Sequence, residues 1–155
     1  MTPSTVTPRP SAAQARALKL YVVLTRAASA VNARIDEQTD LHGLTLTEFG
    51  ILEALHHKGR LLLGELQKKI LLSSGGVTYT VDRLAEKGLV KRLECDSDRR
   101  ARYATLTPKG QALIARVFPA HAALIERTMS VLSVHEQAEV TALLRTLGTS
   151  AAQTA

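Results

Sequence analysis

The chain has 155 residues, of which 45% are hydrophobic and only 3% aromatic, with no tryptophan and one cysteine. This composition indicates one globular domain with an aliphatic core. The single cysteine excludes an intramolecular disulfide and a cysteine-based zinc site, and the few aromatic residues argue against an aromatic platform for single-stranded nucleic acid. The formal net charge is +6, and residues 73–110 carry eight basic and five acidic side chains. Such a basic segment favours a polyanionic partner, although an ordinary solvated basic surface would give the same count.

The N-terminal part is predicted to be an arm followed by a long helix. Residues 1–10 include three of the five prolines and are expected to be disordered. They lack the apolar core of a secretory signal, and no run approaches the roughly 18 apolar residues of a membrane span. We therefore expect a cytoplasmic protein without membrane contacts. Residues 11–39 are predicted to be helical, because Tyr21, Leu24, Val31 and Ile35 recur at helical spacing.

Three further helices are predicted between residues 45 and 88. Thr45 and Glu48 form a Thr-x-x-Glu capping box for the second helix, which ends at Gly59. A short third helix covers about residues 63–70. Residues 73–76, Ser-Ser-Gly-Gly, break it and offer a new N-cap, and Gly88 ends the fourth helix. The fourth helix should bury Val77, Val81 and Leu84.

The hydrophobic period then changes to that of two short strands, residues 89–93 and 103–106, joined by a polar hairpin. Thr107 and Pro108 start a long helix that should reach about Thr128 and be kinked at Pro119. Ser133 and Glu136 form another capping box. The last helix is predicted to end at Gly148, with residues 149–155 frayed. The fold class is therefore mainly α with a small β-hairpin, in the order of a winged helix-turn-helix.

Two segments of this arrangement suit DNA. The first turn of the fourth helix has small polar residues, which allow close approach to a groove or phosphate. The hairpin carries Asp98, Arg99, Arg100 and Arg102. An arginine there can enter a minor groove, with Asp98 orienting it. The alternatives are an ordinary capped surface helix and a solvated turn whose ion pair contributes less than about 1 kcal/mol.

Together these segments resemble the MarR family of winged-helix transcriptional regulators. The resemblance is carried by LTLTEFGILEAL at 44–55, LGELQKKILLSSGGVTYTVDRLAEKGLVKR at 63–92 and DSDRRARYATLTPKG at 96–110. The last segment is similar to the family's wing signature, Asp-Arg-Arg followed by Leu-Thr-x-x-Gly. The resemblance covers about residues 12–148. It implies a homodimeric repressor that binds double-stranded DNA at a palindromic operator.

The resemblance also implies the site residues and the domain organisation. Arg100 would read the minor groove with Asp98 as its orienting partner, and Arg99 and Arg102 complete the wing. The residues in the matching recognition helix are Ser74, Gly75, Thr78, Tyr79 and Arg83. Relatives often have Asn-Arg where this chain has Tyr79-Thr80, so no operator sequence is predicted. The DNA-binding lobe would span residues 40–107, and residues 11–39 and 108–148 would form an α-helical dimerisation region.

The predicted dimer surface includes apolar residues from three helices, for which the alternative is the core of a single chain. They are Tyr21, Leu24, Leu113, Val117, Leu124, Leu143, Leu144 and Leu147. The resemblance further implies a small aromatic or phenolic effector, but no motif marks its pocket and no residues are assigned to it.

No cofactor, metal or catalytic site is expected. His56 and His57 are neighbours on a helix, point about 100° apart and are poor joint ligands. The chain has no Gly-rich phosphate loop after a strand, no Gly-x-Ser-x-Gly and no His-Glu-x-x-His, so it is not predicted to be an enzyme. Cys95 is expected to be an inert thiol. The alternative functions are a winged-helix module that binds protein and a redox sensor acting through Cys95.

Overall fold

The computed structural model describes residues 9–70, 74–94 and 102–153. These residues form six helices and three strands in the order α1 Ala12–Asp40, α2 Leu46–Lys58, β1 Leu61–Leu62, α3 Leu63–Ile70, α4 Ser74–Glu86, β2 Val90–Glu94, β3 Arg102–Leu106, α5 Pro108–Met129 and α6 Val134–Gln153. The predicted fold class, mainly α with a small β-hairpin, is confirmed. The predicted arm lies mostly outside the described residues.

Local signals in the sequence account for most helix boundaries. The Thr45 side chain accepts from the Glu48 N–H, and the Glu48 side chain accepts from the Thr45 N–H, as the capping box requires. Thr107 is the N-cap residue of α5, and its side chain accepts from the Gly110 N–H, with Pro108 as the first helical residue. The turns after α2 and α4 place Gly59 and Gly88 at φ of 72° and 71°, where glycine carries no steric penalty.

The sheet contains one strand more than predicted. β1 pairs antiparallel with β3, Leu61 opposite Ala104, so the strand order is β1-β3-β2. β1 was missed because it has only two residues and runs directly into α3, which leaves no alternating pattern to detect. β2 and β3 pair antiparallel, as the predicted hairpin requires, with Arg92 opposite Ala104.

The C-terminal helix is longer than predicted. α6 continues through Gly148 to Gln153, so the predicted helix end at Gly148 is wrong. Residues 149–153, which were predicted to be frayed, are helical. Gly148 does not take the left-handed conformation that ends helices, and the residues after it favour helix or tolerate it. α5, in contrast, runs through Pro119 to Met129, close to the predicted end at Thr128.

One hydrophobic core joins α2, α3, α4, the sheet and the first half of α5. Its largest fully buried side chains include Phe49, Ile51, Leu52, Leu66 and Leu84. Ile114 and Val117 of α5 belong to this core, and α5 is therefore part of the winged lobe over its first turns. The assignment of Val117 to a dimer surface is wrong, because its side chain is fully covered within one chain. None of the helices in the described residues is apolar over the length that a bilayer requires.

Candidate nucleic-acid interface

α4 separates buried from exposed side chains as the sequence predicts. Val77, Val81 and Leu84 are buried against the core. Thr80 is buried too, and its hydroxyl donates to the carbonyl of Gly76 at 2.8 Å. In the Tyr79-Thr80 pair, therefore, only Tyr79 reaches the surface.

The exposed face of α4 carries most of the predicted recognition residues. Gly75, Thr78, Tyr79 and Arg83 are all exposed, and no atom outside α4 would contact a Cβ at Gly75. The side chain of Ser74 lies outside the described part of the chain. The face therefore combines an open first turn, where a groove or phosphate could approach closely, with one aromatic and one cationic side chain.

Tyr79 and Arg83 form a pair one helical turn apart. The Arg83 Nη1 lies 3.5 Å from the Tyr79 hydroxyl, and the guanidinium carbon lies 5.9 Å from the ring centroid. This is a cation–π distance. The contact, together with the charge of Glu48, raises the pKa of Arg83. Like any arginine it is a permanent cation, here on the exposed face of α4.

A buried carboxylate lies behind Arg83. The Glu48 side chain is 2% exposed, and its oxygens accept from Lys87 Nζ at 2.7 and 2.8 Å, with Arg83 Nε 3.6 Å from one of them. Burial opposes ionisation of Glu48. The hydrogen bonds from Lys87 and from the Thr45 N–H, with the charges of Lys87 and Arg83, outweigh it and lower the pKa of Glu48. Sequence reasoning identified Glu48 only as a cap, since both cations follow it at long range.

Arg92 connects α4 to the sheet and was also missed. It lies on β2, with its Nη2 2.7 Å from the Asp82 carboxylate and 3.3 Å from the carbonyl of Thr78. These contacts link α4 directly to β2, one of the two strands that lead into the wing. No local pattern marks it, because the alignment of residues 82 and 92 depends on the turn between them.

The base of the wing is described, but its tip is not. Arg102 begins β3 and pairs with Glu94 at the end of β2, with 2.8 Å between Nη1 and Oε1. Asp98, Arg99, Arg100 and Cys95 lie outside the described residues. Near the other edge of the sheet, the exposed Arg60 lies over the ring of Tyr103, 5.2 Å from its centroid. Arg102 thus lies on β3, and Arg60 directly precedes β1 and contacts the ring of the next β3 residue, Tyr103.

The predicted dimer residues divide by burial. Tyr21, Leu143, Leu144 and Leu147 are exposed, and Leu24, Leu113 and Leu124 are half-buried. Leu113 packs against the core of its own chain. No residue of α6, Val134–Gln153, is buried at all. A helix with an uncovered apolar face leaves surface available for another molecule.

Aromatic and histidine side chains meet where α2, α5 and α1 join. The buried His121 packs on Phe49 at a ring-centroid distance of 4.5 Å, and its Nδ1 lies 3.2 Å from Gln38 Oε1. His57 packs edge-on against Phe118. Within the described ranges, no three His, Cys, Asp or Glu side chains are grouped to hold a metal ion.

Comparisons with known proteins agree with this geometry. The family model described as MarR family matches residues 42–101. The HTH-type transcriptional regulator MhqR of Bacillus subtilis is 43% identical over 138 residues, 89% of this chain and 95% of MhqR.

Two solved structures have a similar fold. A mutant of MarR from E. coli, complexed with operator DNA, has a TM-score of 0.77 at 22% identity, covering 85% of this chain and 95% of that one. BpsR of Bordetella bronchiseptica, whose DNA binding is regulated by 6-hydroxynicotinic acid, has a TM-score of 0.76 at 26% identity, covering 84% and 98%.

Proposed function

The chain belongs to the MarR family of DNA-binding transcriptional regulators, and from this we propose that it is a homodimeric repressor released from a palindromic operator by a small aromatic effector. The observation that carries the DNA-binding mode is the exposed face of α4. It presents Tyr79 and Arg83 on a helix held to the core by Val77, Val81 and Leu84. Members of the family are regulators and not enzymes, in agreement with the absence of catalytic motifs from the sequence.

We assign the α4 face to the major groove and the wing to the adjacent minor groove. Gly75, Thr78, Tyr79 and Arg83 would contact bases and phosphates, with Ser74 at the helix start. Asp98, Arg99, Arg100 and Arg102 would form the wing. Support comes from the Arg92 contacts to Asp82 and Thr78, which connect α4 to β2, the strand that leads into the wing.

The homodimer is supported by apolar surface on α1 and α6. Exposed large hydrophobic side chains there include Leu18, Tyr21, Val22, Val140, Leu143, Leu144 and Leu147. Such a surface on both ends of one chain suits an isologous interface between two copies. A two-fold dimer would bind a palindrome if its α4 helices lie about 34–36 Å apart, one turn of DNA.

The effector is supported by a relative and by a cavity. The fold of BpsR is similar, and its DNA binding is regulated by an aromatic acid. In this chain an open cavity of about 290 Å³ lies between α1 and α5, lined by Arg34, Glu37, Gln38, Leu41, Ala120, Leu124 and Arg127. Its size is near the lower end of small-molecule sites. Its two arginines outnumber the one glutamate, so an aromatic anion suits the lining better than a cation does.

The decisive test is a gel-shift titration of the full-length protein with the intergenic DNA upstream of its own gene. Binding should resist random competitor DNA and fall steeply with salt, because phosphate contacts release counterions. Arg100→Ala should weaken this binding while leaving helicity and dimerisation unchanged. The proposal fails if no duplex, including one selected from a random pool, binds more tightly than competitor, or if affinity is independent of salt.

Aromatic acids and phenols are then added to the complex. Release of the operator at a saturable ligand concentration supports the effector proposal. The variant Arg34→Ala with Arg127→Ala should then require more ligand, whereas unchanged sensitivity would exclude this cavity as the site.

A further inference from the structure

We infer that Glu48 is a positioning residue for DNA recognition, because its buried carboxylate holds Arg83, and through Arg83 the ring of Tyr79, at the face of α4. The inference rests on the proposed role of α4 as the recognition helix. It adds a residue that itself lies beneath the surface and would not touch DNA.

The position of the Glu48 carboxylate is fixed by the backbone. Glu48 is the third residue of α2, and its Oε2 accepts the N–H of Thr45 at 2.9 Å. Lys87 Nζ donates to both oxygens of the carboxylate. These bonds satisfy a side chain that is almost fully buried. Oε1 is then left facing Arg83, with 3.6 Å to Nε.

Arg83 therefore has a contact on each side of its guanidinium. Nε faces the buried carboxylate, and Nη1 lies at 3.5 Å from the Tyr79 hydroxyl. The Arg83 side chain is 48% exposed, so a face of the guanidinium remains available to a ligand. A long side chain restrained before binding loses less conformational entropy when it contacts a base.

Lys87 and Arg83 have different roles at this carboxylate. Lys87 makes the short hydrogen bonds and also donates to the carbonyl of Gly43, so it joins α2 to the end of α4. The Arg83 contact is longer and leads to the surface. Removing Lys87 should therefore affect mainly stability, whereas removing the charge of Glu48 should also affect the base preference of Arg83.

The experiment begins with an operator selected from a random duplex pool by the full-length protein. Each base pair of one half-site is then substituted, and Kd is measured by fluorescence anisotropy for wild type, Glu48→Gln, Arg83→Ala and the double variant. Glutamine keeps the capping acceptor and the side-chain volume. A uniform loss of active protein raises every Kd equally and cancels in the ratio between operators.

Arg83→Ala should flatten the base preference at one or two positions. Glu48→Gln should reduce the discrimination between bases at those same positions by about three- to tenfold. In the Arg83→Ala background, Glu48→Gln should change this discrimination by less than about twofold. Lys87→Met is the control, with lower stability but unchanged preference. Should Glu48→Gln not fold, Glu48→Asp withdraws the carboxylate by one methylene and should flatten the same positions.

The inference is overturned if Glu48→Gln, or Glu48→Asp in its place, keeps full discrimination, or if the Glu48→Gln and Arg83→Ala effects multiply independently. Both results leave α4 as the recognition helix. If Arg83→Ala changes no position, the proposed role of Arg83 fails and the role of Glu48 fails with it.

Discussion

The ammonium of Lys87 lies 2.7 Å from a carboxylate oxygen of Glu48, across 39 residues of chain. Lys87 directly follows α4, and Glu48 lies in the first turn of α2. The pair therefore fixes the end of the candidate recognition helix to the start of the helix behind it. Because the carboxylate is buried, it depends on its partners for the hydrogen bonds that water would otherwise supply.

Lys87→Met should destabilise the protein by about 2–3 kcal/mol at pH 7, because it leaves a buried carboxylate without its main donor. Urea unfolding monitored by circular dichroism measures this. Lys69→Met, which removes the same charge from an exposed site on α3, is the matched control and should change the free energy of unfolding by less than about 0.5 kcal/mol. Equal effects of the two substitutions would contradict the structural role of the pair.

The stabilisation from Glu48 should disappear in acid. Its pKa is lower in the folded state than in the unfolded chain, so the unfolded state binds more protons between the two values. The contribution is complete above the unfolded pKa and is lost as the pH falls through the folded pKa. Glu48→Gln should therefore show a shallower loss of stability below about pH 5 than wild type. Parallel acid profiles for the two proteins would argue against an ionised Glu48.

His121 should make stability depend on pH at milder acidity. Burial between Phe49 and Gln38 lowers the pKa of His121 and outweighs the charge of Glu53, which acts in the opposite direction. Below the ordinary histidine pKa the unfolded chain binds a proton that the folded chain resists, so stability falls as the pH falls through this range. Above it both states are neutral and the effect vanishes.

The urea concentrations at the midpoint of unfolding, measured at pH 7.5 and 5.5, test whether His121 causes this pH dependence. Wild type should lose more stability between them than His121→Gln. His135→Gln removes an exposed histidine on α6 and should behave like wild type. The prediction is wrong if removing His135 changes the pH dependence as much as removing His121.

The close packing of Gly110 against the backbone of Leu89 explains why the wing signature has a glycine at this position. A Cβ at this position would overlap the carbonyl of Leu89, and this carbonyl already accepts the N–H of Thr107 at 3.0 Å. It cannot move away without breaking the start of α5. Gly110→Ala should therefore cost about 2–4 kcal/mol. Gly64→Ala in α3 meets no atom within 4 Å and should stabilise by about 0.5 kcal/mol, as thermal or urea unfolding would reveal.

The exposed apolar face of α6 should form part of the dimer interface. Leu143 and Leu147 are 70% and 43% exposed and lie one turn apart. Leu143→Glu with Leu147→Glu should convert a species of twice the chain mass to a monomer in analytical ultracentrifugation, because the dimer would bury carboxylates. Thr141→Glu places one such charge on the opposite side of α6 and should remain dimeric. If the double variant is still dimeric, the dimer interface does not include this face of α6.

Much of the fold was predictable because its signals are local. The capping boxes at Thr45 and Ser133 act between residues three apart, and both are present in the structure. The buried stripe of α4 follows from helical periodicity alone. The exposed positions of Tyr79 and Arg83 follow from the same stripe, since the remaining face must point outward.

Other features depended on contacts that no local pattern encodes. β1 exists only through its pairing with β3, and Val117 is covered only because α5 packs into the lobe. The link from Glu48 to Lys87 and Arg83, and the requirement for glycine beside Leu89, likewise join residues that are distant in sequence. The sequence by itself thus determined where helices begin and which faces are apolar, because capping and periodicity act over a few residues. Only the tertiary structure decided which charges and surfaces meet, because chain folding brings their partners together.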